Sequence, residues 1–241
     1  MNALAIITAR GGSKRIPRKN IKEFMGKPMI AYAIDACKDS GIFDEIMVST
    51  DDDEIATVAR EFGANVPFMR SAKNSDDYAT TNDVLTEVLE QYKKRGIEPS
   101  VVCCVYPCVP FLDGEILRLA YDKFKLSGAD GLTPVVKFSF PIQRAFRIKD
   151  GFLEYREPQN ASKRSQDLEP MYHDVGMFYF YKGTKLNGKN IIKTSEDIIK
   201  ASKQETHIRK SISKLTPNMT IPDTLCVDKS YEFKSGHKVP I

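Results

Sequence analysis

The sequence has no long hydrophobic run and no cysteine framework. No apolar stretch in its 241 residues approaches the roughly 18 that a membrane-spanning helix needs. The N-terminus lacks a charged region followed by a cleavable apolar segment, so we expect no signal peptide. The five cysteines are odd in number and form no CxxC pair, which argues against disulfides and a zinc site. These absences predict a reduced, cytoplasmic protein with no membrane partner.

An excess of positive charge is also lacking over most of the chain. The net charge is +4, and the residues from Lys182 to the end hold 12 Lys and Arg against 6 Asp and Glu. The residues before Lys182 hold 24 basic and 26 acidic side chains. Aromatic residues are not interleaved with the basic stretches. We therefore expect no nucleic-acid partner.

Apolar strands alternate with helical patterns over the first 136 residues. "ALAII", "EIMVST", "SVVCCVYP" and "GLTPVV" are typical of strands. "MIAYAIDACKDSG", "DDEIATVAREFG", "TTNDVLTEVLEQYKKRG" and "EILRLAYDKFKLSG" have helical spacing. This alternation predicts an α/β fold with a mainly parallel sheet flanked by helices.

The rhythm changes after residue 136. "KFSFPIQRAFRIKDGFLEYREP" indicates a short β excursion with a turn at Lys149-Asp150-Gly151, and "GMFYFYKG" indicates an aromatic strand. We predict a single domain over residues 1–241 with an inserted β-rich lobe at residues 137–172. Periodicity fades near Asn190, so residues 190–241 are interpreted as an atypical tail of uncertain fold.

The stretch "ARGGSKRIPRKN", residues 9–20, follows the first predicted strand. Ligands of parallel α/β sheets bind beyond the carboxyl ends of the strands, which is where this loop would lie. It offers two glycines that can adopt positive φ, one hydroxyl and several cations: Gly11, Gly12, Ser13, Arg10, Lys14 and Lys19. Neither GxxxxGK[ST] nor GxGxxG is present. From the residues alone, the loop is either a triphosphate site or a solvated basic turn.

Several separated motifs resemble one enzyme family. "ARGGSKRIPRKN", "GKPMIAYAIDA", "VSTDDDEIA" and "VPFMR" are similar, in this order, to the CMP-N-acylneuraminate cytidylyltransferase family. "YPCVPFL", "FPIQRAFRI" and "RSQDLEPMYHDVGMFY" are most similar to its pseudaminic acid branch, and the resemblance covers residues 3–181. It implies a Rossmann-like sheet of the nucleotide-sugar transferase type and a homodimer formed through the inserted lobe. The implied substrates are CTP and an acidic nonulosonic sugar, and the implied cofactor is Mg²⁺.

The resemblance also implies roles for individual residues. Arg10 and Lys19 would contact the triphosphate and serve as the catalytic charges. The implied nucleotide-binding set is Ala9, Arg10, Gly11, Gly12, Ser13, Lys19, Asn20, Arg70, Ala79 and Thr81. In this set Asn20 would contact the base or ribose. A solvated loop arginine is the alternative interpretation of Arg70.

The sugar needs a cation for its carboxylate and amide-type groups for its hydroxyl and N-acyl substituents. The implied sugar-binding set is Tyr106, Gln143, Arg144, Arg164, Ser165, Gln166, Asp167, His173 and Asp174. Tyr106 stands where sialic acid relatives have glutamine. The alternatives are core packing for Tyr106, a structural role for His173, and surface charges of a β extension for the lobe residues.

The metal ligands are not identifiable. Family members end with a "DID"-like aspartate pair that holds the metal, and this chain offers only Asp223 and Asp228, five residues apart. Other carboxylates hold the metal, or a reading-frame change replaced the ending, or the protein binds CTP without efficient turnover. A replaced ending is the hypothesis we favour, because the composition shifts where the resemblance stops. The acceptor also stays open among pseudaminic, legionaminic, sialic and 3-deoxy-octulosonic acids.

Overall fold

The computed structural model describes residues 1–186. Its strands are β1 (Ala3–Thr8), β2 (Glu23–Phe24), β3 (Lys27–Pro28), β4 (Glu45–Ser49), β5 (Val101–Val105), β6 (Gly131–Leu132), β7 (Val135–Lys137), β8 (Phe146–Lys149), β9 (Phe152–Tyr155), β10 (Tyr172–Asp174) and β11 (Phe178–Lys182). Its α-helices are α1 (Met29–Ser40), α2 (Asp53–Glu61), α3 (Thr81–Lys93) and α4 (Gly114–Ser127). Short 3₁₀ turns lie at Ala72–Asn74, Ile142–Arg144, Pro158–Asn160, Ser165–Asp167 and Gly183–Lys185.

The central sheet has five strands in the order β4-β1-β5-β11-β6. β1 pairs in parallel with both β4 and β5, whereas β11 runs antiparallel between β5 and β6. The α/β prediction of a mainly parallel sheet flanked by helices is therefore confirmed. β11 is the aromatic strand that the sequence indicates.

Both faces of this sheet are covered, which explains the continuous apolar runs of its strands. Ala3, Ala5 and Ile7 of β1 face one apolar cluster, which also contains buried residues of α1, α2 and α4. Leu4 and Ile6 face the other cluster, which contains Leu85, Val88 and Tyr92 of α3. Because side chains alternate along a strand, one sequence run supplies both halves of the core.

Local signals fix the ends of three helices. Thr80 caps α3 through a capping box in which its hydroxyl accepts from the Asp83 backbone and the Asp83 carboxylate accepts from the Thr80 backbone. Asp52 caps α2 by accepting from the Ile55 backbone. Gly41 ends α1 in the left-handed conformation, at φ 65°.

The expectation of one strand in "GLTPVV" is wrong. Gly131–Leu132 joins the central sheet, whereas Val135–Lys137 pairs antiparallel with Tyr172–Asp174. Pro134, which has no N–H to donate, lies between the two segments.

The residues of the predicted lobe include a hairpin of β8 and β9. The predicted turn at Lys149-Asp150-Gly151 is confirmed for Asp150 and Gly151, both at positive φ (52° and 82°), whereas Lys149 is the last residue of β8. The domain boundaries stay a prediction, and the tail at residues 190–241 lies outside the described residues. Among residues 1–186, no helix is long and apolar enough to cross a membrane.

Candidate active site

A cavity of about 710 Å³ lies where the chain leaves β1 and β5, at their carboxyl ends. Three segments supply most of its lining, namely the loop after β1, the segment leading into α3, and Tyr106–Cys108 after β5, and Gly176 completes it. Eight predicted site residues meet there: Arg10, Ser13, Lys19, Asn20, Arg70, Ala79, Thr81 and Tyr106. Segments far apart in sequence thus form one concave surface at the edge where parallel α/β sheets bind ligands.

Asn20 fixes the shape of the loop after β1. Its side-chain amide donates to the Arg10 carbonyl at 2.8 Å, and its Oδ1 lies 3.4 Å from the Cys108 sulfur. Only 4% of Asn20 is exposed. In this structure the amide therefore closes the loop, and its predicted contact with the base or ribose stays a prediction.

The two glycines of the loop do not have the backbone conformation that the sequence predicts. Neither Gly11 nor Gly12 has positive φ, so the positive-φ argument is wrong for both. The Gly11 backbone N–H donates to Asp51 at 2.9 Å, and a Cβ on Gly11 would lie 2.7 Å from Asp52 Oδ2. A Cβ on Gly12 would meet nothing within 4 Å. Gly11 is thus required by a close approach to α2's cap, and neither glycine lines the cavity.

Ala9 is buried and also lies outside the cavity lining. Its backbone N–H donates to the Ser49 carbonyl at 3.0 Å, which ties the start of the loop to β4. Ala9 therefore stabilises the start of the loop from within the core.

Acidic side chains neutralise part of the loop. Arg10 donates to Asp77 Oδ1 at 2.9 Å and to the Asp76 carbonyl at 2.6 Å. Lys14 forms an ion pair with the other Asp77 oxygen. Hydrogen bonds from Lys14 and then Arg10 hold the pKa of Asp77 below its usual range. Within residues 1–186, the Lys19 ammonium forms no ion pair with a carboxylate.

Arg70 is a buried cation rather than a solvated loop residue, with 8% of it exposed. Its Nε donates to Ser49 Oγ at 3.0 Å, and its Nη2 donates to the Ser49 carbonyl. In the described part of the chain it has no carboxylate at ion-pair distance. Burial lowers the pKa of the Arg70 guanidinium. The charges of Asp51 and Glu87 offset part of the cost of this burial, but neither pairs with the guanidinium, so the position favours a negatively charged ligand.

The segment from Arg70 to Thr81 is held in place by α3. Glu87 accepts hydrogen bonds from the Ser71 backbone (2.8 Å) and from the Asn74 amide (2.6 Å). The Asp76 carboxylate accepts from the backbone of Tyr78 and Ala79. These contacts bring Ala79 and Thr81 to the cavity.

Tyr106 contacts both the cavity and the sheet. Its hydroxyl lies 3.3 Å from Thr81 Oγ1, and its ring packs edge-on against Tyr179 at 5.6 Å. The Tyr179 hydroxyl donates to Asp174 at 2.6 Å. Burial, followed by this bond, raises the pKa of Tyr179. Asp174 therefore supports the residue behind Tyr106 and does not line the cavity.

The other residues of the predicted sugar-binding set lie outside this cavity. Arg144 lies 3.4 Å from Ser165, and both line a separate cavity of about 670 Å³ with mostly apolar walls. The Gln143 amide donates to the Glu169 carbonyl, and its buried Oε1 has no partner among the described residues. The others are exposed: Arg164, which pairs with Asp167, and Gln166 and His173. The His173 ring packs on Phe138 at 4.8 Å.

Sequence reasoning missed the acidic side of the site. Asp76, Asp77 and Asn74 line the cavity, and Glu87 holds their segment. The Thr80–Asp83 capping box was a readable signal for the start of α3 beside this segment. The pairing of Asp77 with Arg10 joins residues 67 positions apart, which no local pattern indicates.

The described residues do not form a metal site by themselves. No group of three or more His, Cys, Asp or Glu side chains within residues 1–186 is arranged to hold a metal ion. Asp76 and Asp77, the carboxylates in the cavity lining, already bind backbone amides or cations. They do not fit as a complete Mg²⁺ ligand set, and Asp223 and Asp228 lie outside the described residues.

Comparison with known proteins identifies the family. The Cytidylyltransferase family model matches residues 4–217, which extends past Asn190 into the predicted tail. The pseudaminic acid cytidylyltransferase of Campylobacter jejuni is 45% identical over 181 residues, covering 75% of this chain and 78% of the relative. The CMP-N,N'-diacetyllegionaminic acid synthase of Legionella pneumophila is 35% identical over 202 residues, covering 83% and 81%.

A solved structure has the same fold. It is a CMP:2-keto-3-deoxy-manno-octonic acid synthetase complexed with CTP, with TM-score 0.61 and 18% identity, covering 84% of this chain and 90% of that one. The family match covers most of the chain, and the mainly parallel sheet with its cation-lined cavity is consistent with that match. The chain belongs to the cytidylyltransferase family.

Proposed function

We propose that this protein transfers CMP from CTP to a nonulosonic acid, pseudaminic acid, and releases pyrophosphate. The observation that carries the proposal is the cavity at the ends of β1 and β5. Arg10, Lys19 and the buried Arg70 meet there, and Arg70 has no anionic partner among the described residues. The triphosphate of CTP supplies the negative charge that Lys19 and Arg70 lack at ion-pair distance among the described residues.

The reaction is an in-line displacement at the α-phosphorus. The anomeric hydroxyl of the sugar forms the new P–O bond and loses its proton to water, while the bond from the α-phosphorus to the bridging oxygen breaks and pyrophosphate leaves. Arg10 and Lys19 stabilise the charge that builds up on the phosphate oxygens. The loop after β1 holds Arg10 and Lys19 at the cavity before substrate binds.

Mg²⁺ is part of the proposal. Bound to phosphate oxygens, it would neutralise charge on the triphosphate. Since residues 1–186 supply no complete ligand set, its ligands are not assigned. We expect EDTA to abolish turnover and added Mg²⁺ to restore it; full turnover in EDTA would overturn this part of the proposal.

The proposed acceptor rests on the relatives. The 45% identical relative is a pseudaminic acid cytidylyltransferase, whereas the legionaminic acid synthase is 35% identical. The test is pyrophosphate release with CTP and each of pseudaminic, legionaminic, sialic and 3-deoxy-octulosonic acids. We expect the highest kcat/KM with pseudaminic acid. A higher value with another acid would reassign the acceptor, and CTP binding without turnover would indicate a catalytically impaired protein.

We also propose a homodimer that completes the sugar site. Phe146 and Ile148 of β8 pair with Tyr155 and Leu153 of β9, so these four side chains share one face of the hairpin. Ile148 is 79% exposed and Leu153 is 65% exposed, which is typical of an interaction surface. A partner's lobe placed over the nucleotide cavity would bring Arg144 and its neighbours, which lie outside that cavity, to the sugar.

A further inference from the structure

Asp77 lies between two cations of the loop after β1. One carboxylate oxygen accepts from Arg10 at 2.9 Å and the other pairs with Lys14. Asp77, Arg10 and Lys14 all line the nucleotide cavity. A carboxylate that bridges two cations in this way resembles a phosphate group in charge and in hydrogen-bond acceptors.

We propose that Asp77 is an internal competitor for phosphate: it occupies the phosphate position in the free protein, and the triphosphate of CTP displaces it. This inference rests on the proposed function. Phosphate oxygens bound to Arg10 and Lys14 would lie beside the Asp77 carboxylate. The phosphate and the Asp77 carboxylate are both negatively charged and repel each other at close range. They therefore cannot both bind Arg10 and Lys14 at the same time.

The turn that carries Asp77 lies beyond the part of its segment that Glu87 holds at Ser71 and Asn74. The neighbouring Asp76 carboxylate accepts from the backbone of Tyr78 and Ala79, which makes a compact turn. Tyr78 is 90% exposed. Movement of this turn away from the cations therefore breaks the Asp77 ion pairs and the Arg10 bond to the Asp76 carbonyl but little apolar packing.

The competition affects only ligands that carry phosphates to Arg10 and Lys14. CTP and pyrophosphate must displace Asp77, whereas cytidine leaves it in place. After transfer, the return of Asp77 to the two cations favours the departure of pyrophosphate. Asp77 thus sets affinity according to the phosphate content of the ligand.

The test is a titration of the full chain with cytidine, CTP and pyrophosphate, each in EDTA and in Mg²⁺. The variants are Asp77→Asn, which removes the charge, and Asp77→Glu, which keeps it. Asp122→Asn, an exposed position on α4, is the matched control for the loss of one carboxylate. Thermal melting of each variant verifies that it is folded.

In EDTA we expect Asp77→Asn to bind CTP and pyrophosphate about five- to tenfold more tightly than the wild type, because two exposed ion pairs no longer oppose binding. Cytidine affinity should stay within about twofold, as should all affinities of Asp77→Glu and Asp122→Asn. Unchanged or weaker CTP binding by folded Asp77→Asn would overturn the inference, as would an equal gain for cytidine. Wild-type protein that binds no CTP would overturn the proposed function itself.

Discussion

Arg70 is the residue whose environment most directly indicates an anionic ligand. Its guanidinium is buried and donates to Ser49, and no described carboxylate lies at ion-pair distance. Such a group reduces the stability of the free protein because its hydration is lost without full compensation. We infer that Arg70 has a role in binding, because the triphosphate would supply a negative charge at ion-pair distance from its guanidinium.

Replacing Arg70 by Met tests this account at the level of one residue. The methionine keeps much of the volume and removes the buried charge, so we expect the free energy of unfolding to fall by no more than about 1 kcal/mol. CTP affinity should fall at least about tenfold. Urea denaturation and CTP titration measure the two quantities. Large destabilisation with unchanged CTP affinity would assign Arg70 a purely structural role.

The loop after β1 offers a matched pair of glycines for a test at the level of an element. A Cβ on Gly11 would lie 2.7 Å from the Asp52 carboxylate, whereas a Cβ on Gly12 has free space. We expect Gly11→Ala to push the loop off α2's cap and to weaken CTP binding by about tenfold or more. Gly12→Ala should bind CTP like the wild type. Equal effects of the two substitutions, measured by CTP titration, would contradict the close-approach explanation.

The elements that local patterns predicted best are those whose ends carry their own signals. Gly41 ends α1 and Thr80 begins α3, and the Asp150-Gly151 turn forms the hairpin. "GLTPVV" was misread because Pro134 separates two short strands with different partners, and such pairing depends on tertiary contacts. The expectation of positive φ at Gly11 was wrong because it also depended on a tertiary contact. Glycine is required there by the close approach of Asp52, not by the backbone conformation.

At the scale of the whole molecule, the sequence predicted eight of the residues that line the cavity, but it predicted neither the acidic residues there nor how the charges are balanced. Arg10, Lys19 and Arg70 meet because the carboxyl ends of parallel strands lie at one edge. The pairing of Arg10 with Asp77 arises only after folding. The predicted sugar-binding residues other than Tyr106 lie outside this cavity, which a second protomer would explain.

The proposed homodimer predicts the effect of charge on the exposed hairpin face. Ile148→Glu with Leu153→Glu places two carboxylates on that face, so we expect the dimer to dissociate to a single chain of 27.2 kDa. The KM for the sugar should rise while CTP affinity is retained. Leu126→Glu, at an 88% exposed position on α4, is the control. Light scattering that finds a monomeric wild type, or a dimeric double variant, would contradict the interface.

The most direct test of the central claim is the rate of pyrophosphate release from CTP in Mg²⁺, with and without pseudaminic acid, in the wild type and in Arg10→Met. We predict release by the wild type only when both substrates are present. Folded Arg10→Met should lose at least about a hundredfold in kcat/KM, since a preorganised charge on the phosphates is removed. Release by Arg10→Met at the wild-type rate would contradict the assignment of this loop to the triphosphate.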